Sequence, residues 1–334
     1  MRGFVRLACF LGNVVFAAAC PAWLDEYTAF HARSRGEPDA STLTYAAFEN
    51  GHGGGFGDRF RAMQWGLRLA AATKRVFYIH VTRPFALEHM FTPSLINWRG
   101  GPSFEAGDMQ EVHMDGRFGA LPTEKHVVYG GIPEAHAPLV WGARVEVDHS
   151  AESDDLSCMF KSLFRPSDLL RRHVDDEERS IFGRVDTVFT AIHMRTGGAK
   201  GEGTVLDRGH PLSNLLGAIS CARRWPHDIL MVATHPALRK AAHDGWLSRV
   251  HGPRKSVISF SSAVGLDPHM PAFVEIVLMS RAACFVQVRG GLGDAARWLG
   301  NITRCVRFVG VEREPGAECW TELAAELGAS VSWT

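Results

Sequence analysis

The sequence lacks the short motifs by which several common classes of enzyme are recognised. It has no G-x-S-x-G elbow, no Walker loop, no H-E-x-x-H motif and no C-x-x-C pair. These absences weigh against a serine hydrolase, a P-loop kinase, a zinc protease and a structural zinc site. The charges also show no bias, because Lys+Arg and Asp+Glu both number 36. Without a basic field to attract a phosphate backbone, we expect no nucleic-acid partner.

The apolar run at the N-terminus is short. It covers residues 7–19, follows basic residues, and has Ala17 and Ala19 in an A-x-A pattern. A membrane span needs about 20 apolar residues, so the pattern predicts a cleaved signal peptide over residues 1–19. We therefore expect the secretory pathway, either the ER or Golgi lumen or secretion. Membrane association would require an uncleaved segment, and a lipid on Cys20 is a further alternative.

The cysteines fit a secretory route, which permits disulfides. Cys284 lies in an apolar stretch, which predicts a buried thiol. The better candidates for disulfide bridges are Cys158, Cys221, Cys305 and Cys319. Their connectivity is not determined by the sequence. The sequon at Asn301 predicts a glycoprotein.

The first half of the chain predicts one β-α-β unit. A strand at 42–48 is followed by a glycine stretch, a helix at 58–74 and an apolar strand at 75–81. This order places the two strands parallel in one sheet. Residues 90–147 are interpreted as loops and small elements, with short strand candidates such as HVVYGGI at 126–132. We therefore predict a Rossmann-like N-terminal domain over 40–165.

The second half alternates regularly between strands and helices. A polar segment at 148–157 precedes a helix capped by Ser167. The predicted strands are 186–193, 228–234, 255–260, 283–288 and 305–311, and the helices are 211–224, 236–247, 270–281 and 292–300. Such alternation is typical of a doubly wound parallel sheet, here over 166–334. The predicted fold class is thus α/β, with two Rossmann-like domains facing a cleft.

Two glycine stretches resemble each other. GHGGGFGDRFRAM begins at Gly51 and RGGLGDAARWL begins at Arg289. Each follows a predicted strand and opens a helix, so its backbone N–H groups and positive dipole end would favour an anion such as phosphate. The alternative is two tight structural turns. The second stretch fits G-x-G-x-x-A, but too few residues follow it for a dinucleotide fold, which argues against a dehydrogenase.

The segment TVFTAIHMRTGG, residues 187–198, carries the sharpest chemical signal. His193 and Arg195 lie two positions apart near the carboxyl end of a strand, so they share a face before a glycine turn. A guanidinium is a planar fork of donors that matches diphosphate oxygens. The alternative is an arginine paired with a carboxylate beside a histidine with structural hydrogen bonds.

Four segments together resemble the GDP-fucose-dependent fucosyltransferases of the α1,6 and protein-O-fucosyl superfamily. They are GGGFGDRFRAMQWGLRLAAATKRVFYI, AIHMRTGG, ILMVATHPALRKAA and FVEIVLMSRAACFVQVRGGLGDAARWLG. The resemblance covers about 43–81 and 186–309. It implies a two-domain glycosyltransferase of the B type, with the sugar nucleotide on the second domain and a glycan or protein acceptor on the first. It implies inverting transfer of fucose without a metal or other cofactor.

The resemblance also assigns roles to residues. Arg195 corresponds to the arginine that contacts the β-phosphate and stabilises the departing GDP, and Asp58 is the candidate base. The donor-binding set is His193, Arg195, Thr196, Gly197, Thr234, His235, Gly290, Gly291, Leu292 and Gly293. The cleft set from the N-terminal domain is Gly55, Phe56, Gly57, Asp58 and Arg59.

The chain departs from the family pattern at three positions. His235 stands where an aspartate usually holds the base, Gly291 and Leu292 replace a hydroxyl residue, and Asp58 replaces an asparagine. Asp58 is also a good helix cap, which is the alternative to a catalytic role. These departures favour a second hypothesis, a non-catalytic relative that binds carbohydrate or nucleotide.

Overall fold

The structure is a computed structural model. It describes residues 20–47, 55–103, 109–112, 125–131, 139–141, 143–145, 152–195, 211–234, 236–253, 265–288, 291–300 and 306–308. The predictions for the signal peptide, the sequon at Asn301, Cys305, Cys319 and the strand 255–260 lie outside these residues.

The described elements are thirteen strands and eight α-helices. The strands are β1 (Thr42–Ala47), β2 (Val76–Val81), β3 (Phe91–Pro93), β4 (Met109–Val112), β5 (His126–Gly131), β6 (Leu139–Trp141), β7 (Ala143–Val145), β8 (Phe164–Pro166), β9 (Phe189–Met194), β10 (Asp228–Ala233), β11 (Val250–His251), β12 (Cys284–Val288) and β13 (Val306–Phe308). The helices are α1 (Ala22–Ser34), α2 (Phe56–Thr73), α3 (Glu152–Leu163), α4 (Asp168–Phe182), α5 (Pro211–Arg223), α6 (Pro236–His243), α7 (Met270–Ser280) and α8 (Gly291–Gly300).

The first sheet confirms the predicted β-α-β unit. Its strand order is β2-β1-β5-β4, and β1 pairs with β2 in parallel. The pairs β1–β5 and β4–β5 are parallel too. The strand candidate HVVYGGI is β5, and β4 is a second strand from the region interpreted as loops and small elements. Helix α2 begins after Gly55, whose N–H donates to the Asp58 carboxylate at 3.2 Å. It ends at Lys74, which has a left-handed φ of 51°.

The second sheet has the strand order of a Rossmann fold. The order is β11-β10-β9-β12-β13, and every pair is parallel. Counted along this half of the chain, the order is 3-2-1-4-5, so the connections run to one side of β9 and then return to the other. The carboxyl ends of β9 and β12 therefore flank the switch point at which open α/β sheets place ligands.

Strand alternation divides the second sheet between two hydrophobic clusters. Ile192 and Met194 of β9 belong to a smaller cluster with α5 and α6. Phe189 and Ala191 face the opposite side and belong to the larger cluster. Since side chains alternate along a strand, His193 lies on the same face as Phe189 and Ala191.

The larger cluster runs through both halves of the chain. Phe273 of α7 is fully buried, and its ring lies 4.6 Å from Phe56 of α2 and 5.5 Å from Phe85. Phe60 of α2 lies 5.0 Å from Phe160 of α3. Burying each such ring stabilises the fold by about 2–3 kcal/mol, so these contacts hold the two halves firmly together.

Helix α3 was not predicted, although it lies in the segment interpreted as a polar boundary. Leu156, Met159, Phe160 and Leu163 are buried at helical spacing. The Gln64 side chain donates to the Leu156 carbonyl at 2.8 Å, and the Ser157 hydroxyl donates to the Trp298 carbonyl at 2.6 Å. Helix α3 thus contacts α2 on one side and α8 on the other.

The next helix follows the prediction closely. The Ser167 hydroxyl accepts from the Leu170 N–H at 3.1 Å and so caps α4. Most boundaries lie within two residues of the prediction, and two described ones differ by more. Helix α6 ends at His243 rather than 247, and β9 begins at Phe189 rather than 186.

The cysteines correct one prediction. Cys20 and Cys158 form a disulfide that joins the start of α1 to α3. Cys221 is disulfide-bonded as predicted, but Cys284 is disulfide-bonded as well, so the prediction of a buried free thiol was wrong. A cysteine in a disulfide has no thiol for a lipid, which argues against the lipid alternative at Cys20.

Candidate functional site

The two glycine stretches meet in the structure. A Cβ atom on Gly57 would lie 2.5 Å from the Cα and carbonyl carbon of Gly291, and one on Gly291 would lie 2.9 Å from the Cα of Gly57. Both distances are shorter than real Cβ contacts allow, so glycine is needed on both sides. The first turns of α2 and α8 are therefore in backbone contact, and their positive dipole ends lie side by side.

Arg61 joins the two helices across this contact. Its guanidinium donates to the Asp58 carboxylate at 3.1 Å and also forms an ion pair with Asp294 of α8. Asp58 and Asp294 occupy equivalent places in the two repeated stretches, one residue after Gly57 and Gly293. The seam between α2 and α8 thus contains two carboxylates bound by one guanidinium.

Asp294 extends this network toward the sheet. Its Oδ1 accepts from the Gln287 amide of β12 at 2.8 Å. Gln287 is buried and is the register partner of His193 on the neighbouring strand β9. A Cβ atom on Gly293 would lie 2.7 Å from His193 Nδ1 and 3.0 Å from Gln287 Nε2. Glycine at 293 therefore lets the first turn of α8 lie directly against these two side chains.

Among the groups of this site, His193 has the pKa that departs furthest from its ordinary value. Burial lowers its pKa to about 4, the Asp294 carboxylate opposes this shift, and Arg195 adds to it. The imidazole is therefore neutral at neutral pH. Its Nδ1 is buried and has no hydrogen-bond partner among the residues that the structure describes. A buried nitrogen of this kind can gain a hydrogen bond from a ligand group.

Arg195 follows β9 directly and is exposed at the carboxyl end of the sheet. Its positive charge contributes to the lowered pKa of His193. Thr234 follows β10, and its N–H donates to the Met194 carbonyl at 3.0 Å. The carboxyl ends of β9 and β10 therefore lie at the edge of the sheet that carries the switch point. Of the predicted donor-binding residues, Thr196, Gly197, His235 and Gly290 lie outside the described residues.

Both oxygens of the Asp58 carboxylate are engaged. Oδ2 accepts from the Gly55 N–H, and Oδ1 accepts from Arg61. Asp58 therefore caps its own helix, which is the alternative raised by the sequence. The catalytic role stays a prediction.

Arg59 differs from its neighbours because it is buried without a carboxylate partner in the described part of the chain. Its guanidinium donates to the Arg83 carbonyl at 2.6 Å and lies 5.3 Å from the centre of the Phe56 ring. Burial lowers its pKa, and the neighbouring Tyr45 opposes this effect. A cation over an aromatic face recovers part of the lost hydration. Arg59 thus fixes the start of α2 to the loop after β2.

The sequence analysis missed Arg61, Gln287 and Asp294. Two features of the sequence indicated Asp294 and Gln287. Asp294 and Asp58 are equivalent in the repeated stretches. Gln287 is a polar residue in an apolar strand, and it lies on the same face of that strand as the buried Phe285. A buried amide in such a position requires a hydrogen-bond partner, which here is Asp294.

A buried ion pair behind β10 was missed as well. Arg239 of α6 pairs with Glu275 of α7 and donates to the Ala233 carbonyl at 3.0 Å. Burial raises the pKa of Glu275 to about 7, and Arg239 opposes that shift. The pair ties the turn after β10 to α7, the helix that carries Phe273.

The described residues contain neither a cluster of metal-ligating side chains nor a membrane-spanning helix. Within them, no group of three or more His, Cys, Asp or Glu side chains is arranged to hold a metal ion. The helices among them also include none with the length and apolar character needed to cross a membrane.

Comparisons with known proteins concern the fold. No protein-family model matches the chain, and no curated protein matches its sequence. Among solved structures, the chain is similar to a mutant of Arabidopsis thaliana FUT1 in complex with GDP. The TM-score is 0.54 at 13% identity, and the match covers 86% of this chain and 77% of the other. At this identity the similarity shows the fold alone, which is a Rossmann-like α/β fold.

Proposed function

We propose that the protein is a glycosyltransferase that uses a GDP-sugar, with GDP-fucose as the donor. One observation carries the proposal. The unpaired Nδ1 of His193 lies against the first turn of α8, at the switch point of a Rossmann-like sheet. Helix N-termini at such points bind phosphate groups. The fold similarity to FUT1, a fucosyltransferase whose structure contains GDP, supports the same donor.

The proposed chemistry is inverting transfer in two protein domains of the B type. An acceptor hydroxyl of a glycan or protein attacks the anomeric carbon of the donor, the bond to the GDP oxygen breaks, and the hydroxyl proton passes to a base, for which Asp58 is the candidate. Arg195 and the backbone N–H groups of α8 offset the negative charge that grows on the leaving diphosphate. Preorganised donors of this kind commonly contribute about 3–4 kcal/mol each. No metal or cofactor takes part in the proposed step.

The secretory route belongs to the same proposal. Disulfides form and persist in oxidising compartments, and three described cysteines besides Cys158 are disulfide-bonded: Cys20, Cys221 and Cys284. The ER or Golgi lumen, or secretion, is therefore the proposed location.

The first experiment is calorimetric titration of the disulfide-bonded protein with GDP, GDP-fucose and NAD. We expect GDP and GDP-fucose to bind, NAD not to bind, and Arg195→Ala to weaken GDP binding by at least tenfold. The matched control is Arg171→Ala, an exposed arginine of α4. A folded protein that binds neither GDP nor GDP-fucose would overturn the proposal.

A non-catalytic nucleotide-binding protein is the second candidate, and the engagement of both Asp58 oxygens favours it. Release of GDP from GDP-fucose in the presence of an acceptor panel separates the two. Turnover that survives EDTA and falls in Asp58→Asn supports a metal-independent enzyme with Asp58 as base. Turnover that is unchanged in Asp58→Asn restricts Asp58 to helix capping. Binding without turnover on any acceptor supports the second candidate.

A further inference from the structure

The seam between α2 and α8 is the starting point. It places the carboxylates of Asp58 and Asp294 at the positive ends of two helices, and Arg61 contacts both carboxylates. The side chain of Asp294 is only 15% exposed, so its charge is poorly screened by solvent.

The same seam is connected to the proposed donor site. Asp294 holds Gln287, which lies beside His193, and Gly293 lies against both. Any shift of Asp294 would move the first turn of α8, where the diphosphate is proposed to bind. Arg61 belongs to the first half of the chain and yet fixes this turn in the second half.

Arg61 also affects the electrostatics of the proposed donor site. A diphosphate is an anion, and two uncompensated carboxylates at the helix ends would repel it. They would also cancel the positive dipole ends that favour phosphate. With Arg61 in place, one of the two negative charges is offset and both carboxylates are held in fixed positions.

We infer that Arg61 is a positioning residue of the donor site, supplied by the opposite half of the chain, which makes the first turn of α8 able to bind the diphosphate of the sugar nucleotide. The inference rests on the proposed function. Arg61 is then the residue through which the N-terminal half completes the nucleotide site.

The test uses GDP titration of the full disulfide-bonded protein with four variants: Arg61→Met, Arg61→Lys, Asp294→Asn and the double variant Arg61→Met/Asp294→Asn. Arg33→Met, at an exposed site on α1, is the control. Each variant is first checked for a native melting transition. We expect Arg61→Met to weaken GDP binding about tenfold and Arg61→Lys to weaken it less. Asp294→Asn in the Arg61→Met background should recover much of the loss, because it removes the uncompensated charge.

The dependence of GDP affinity on ionic strength separates an electrostatic role of Arg61 from a purely structural role, because a structural role would not change with salt. Repulsion by the Asp58 carboxylate, which is 40% exposed, is screened at high ionic strength, so the difference between the wild type and Arg61→Met should shrink between about 0.05 and 1 M salt. Equal GDP affinity in the wild type and Arg61→Met overturns the inference, as does a loss that neither Asp294→Asn nor salt reduces. A wild-type protein that fails to bind GDP overturns the proposed function itself, and the two failures are therefore distinct.

Discussion

Gly57 and Gly291 lie in backbone contact, with room for a side chain on neither. This contact explains why similar glycine stretches occur at two distant places in the sequence. The stretches open α2 and α8, and the two helices approach so closely that only hydrogen atoms fit between them. The repetition is therefore a packing requirement as well as a source of two adjacent helix N-termini.

We predict that Gly57→Ala destabilises the protein by roughly 1–3 kcal/mol, since its Cβ would meet the backbone of Gly291 and force the helices apart. Gly55→Ala on the same helix is the control, because the nearest atom to its Cβ is 3.9 Å away. Chemical denaturation measures both. Equal stability of the two variants would contradict the contact.

The His193 imidazole predicts a pH dependence of stability. Its pKa is about 4 in the folded protein, against the ordinary value of 6.5, so the unfolded chain binds a proton that the folded protein excludes. Stability from this group is fully present above pH 6.5 and falls as the pH drops toward 4, by roughly 3 kcal/mol in total. His193→Gln should remove this component of the slope in denaturation measured from pH 7.5 to 4. The exposed His89→Gln should retain it, and an identical slope in all three proteins would contradict the burial of a neutral imidazole.

Arg281→Ala should be far more costly than Arg171→Ala. Arg281 binds Glu178, which is fully buried and also accepts from the Thr187 N–H at 2.9 Å. Removal of the guanidinium leaves a buried carboxylate without its cation, at a cost of about 3–5 kcal/mol. Arg171 forms an exposed pair with Asp168, so its loss should cost about 0–1 kcal/mol. Urea denaturation compares the two, and similar losses would mean that Glu178 is not buried in solution.

The disulfide between Cys20 and Cys158 should stabilise the protein by about 2–4 kcal/mol, because it restricts a long stretch of the unfolded chain. Cys20→Ser and the double variant Cys20→Ser/Cys158→Ser should melt at the same lowered temperature, since either change removes the whole bond. Mass spectrometry of a non-reduced digest provides a direct check. Peptides that link Cys20 to any other cysteine would contradict the pairing.

The sequence predicted the elements that local pattern determines. The β-α-β unit around α2 and the parallel second sheet follow from apolar strands that alternate with amphipathic helices, and Ser167 caps α4 as predicted. The two parallel sheets confirm the α/β class. The domain limits at 165 and 166 and the facing arrangement of the two domains stay predictions.

The misses have physical causes. The acidic residues of 152–155 obscured α3, whose buried residues include Leu156, Met159, Phe160 and Leu163. The free thiol predicted at Cys284 was wrong because apolar neighbours report burial and say nothing of a bonded partner. Arg61 and Arg297 occupy equivalent places in the two glycine stretches, but this repeat did not indicate what Arg61 contacts. Its role arises from the approach of α2 to α8, a tertiary contact between distant segments that a local pattern does not encode.

The shared phenylalanine cluster has a consequence for motion. A rigid-body opening of the two halves would expose Phe273, Phe56 and Phe60 to water. All three side chains are buried in the structure. A rigid-body separation of the two halves is therefore strongly disfavoured. For the same reason the halves should not survive separation, and calorimetric melting should give a single endotherm whose van't Hoff and calorimetric enthalpies agree.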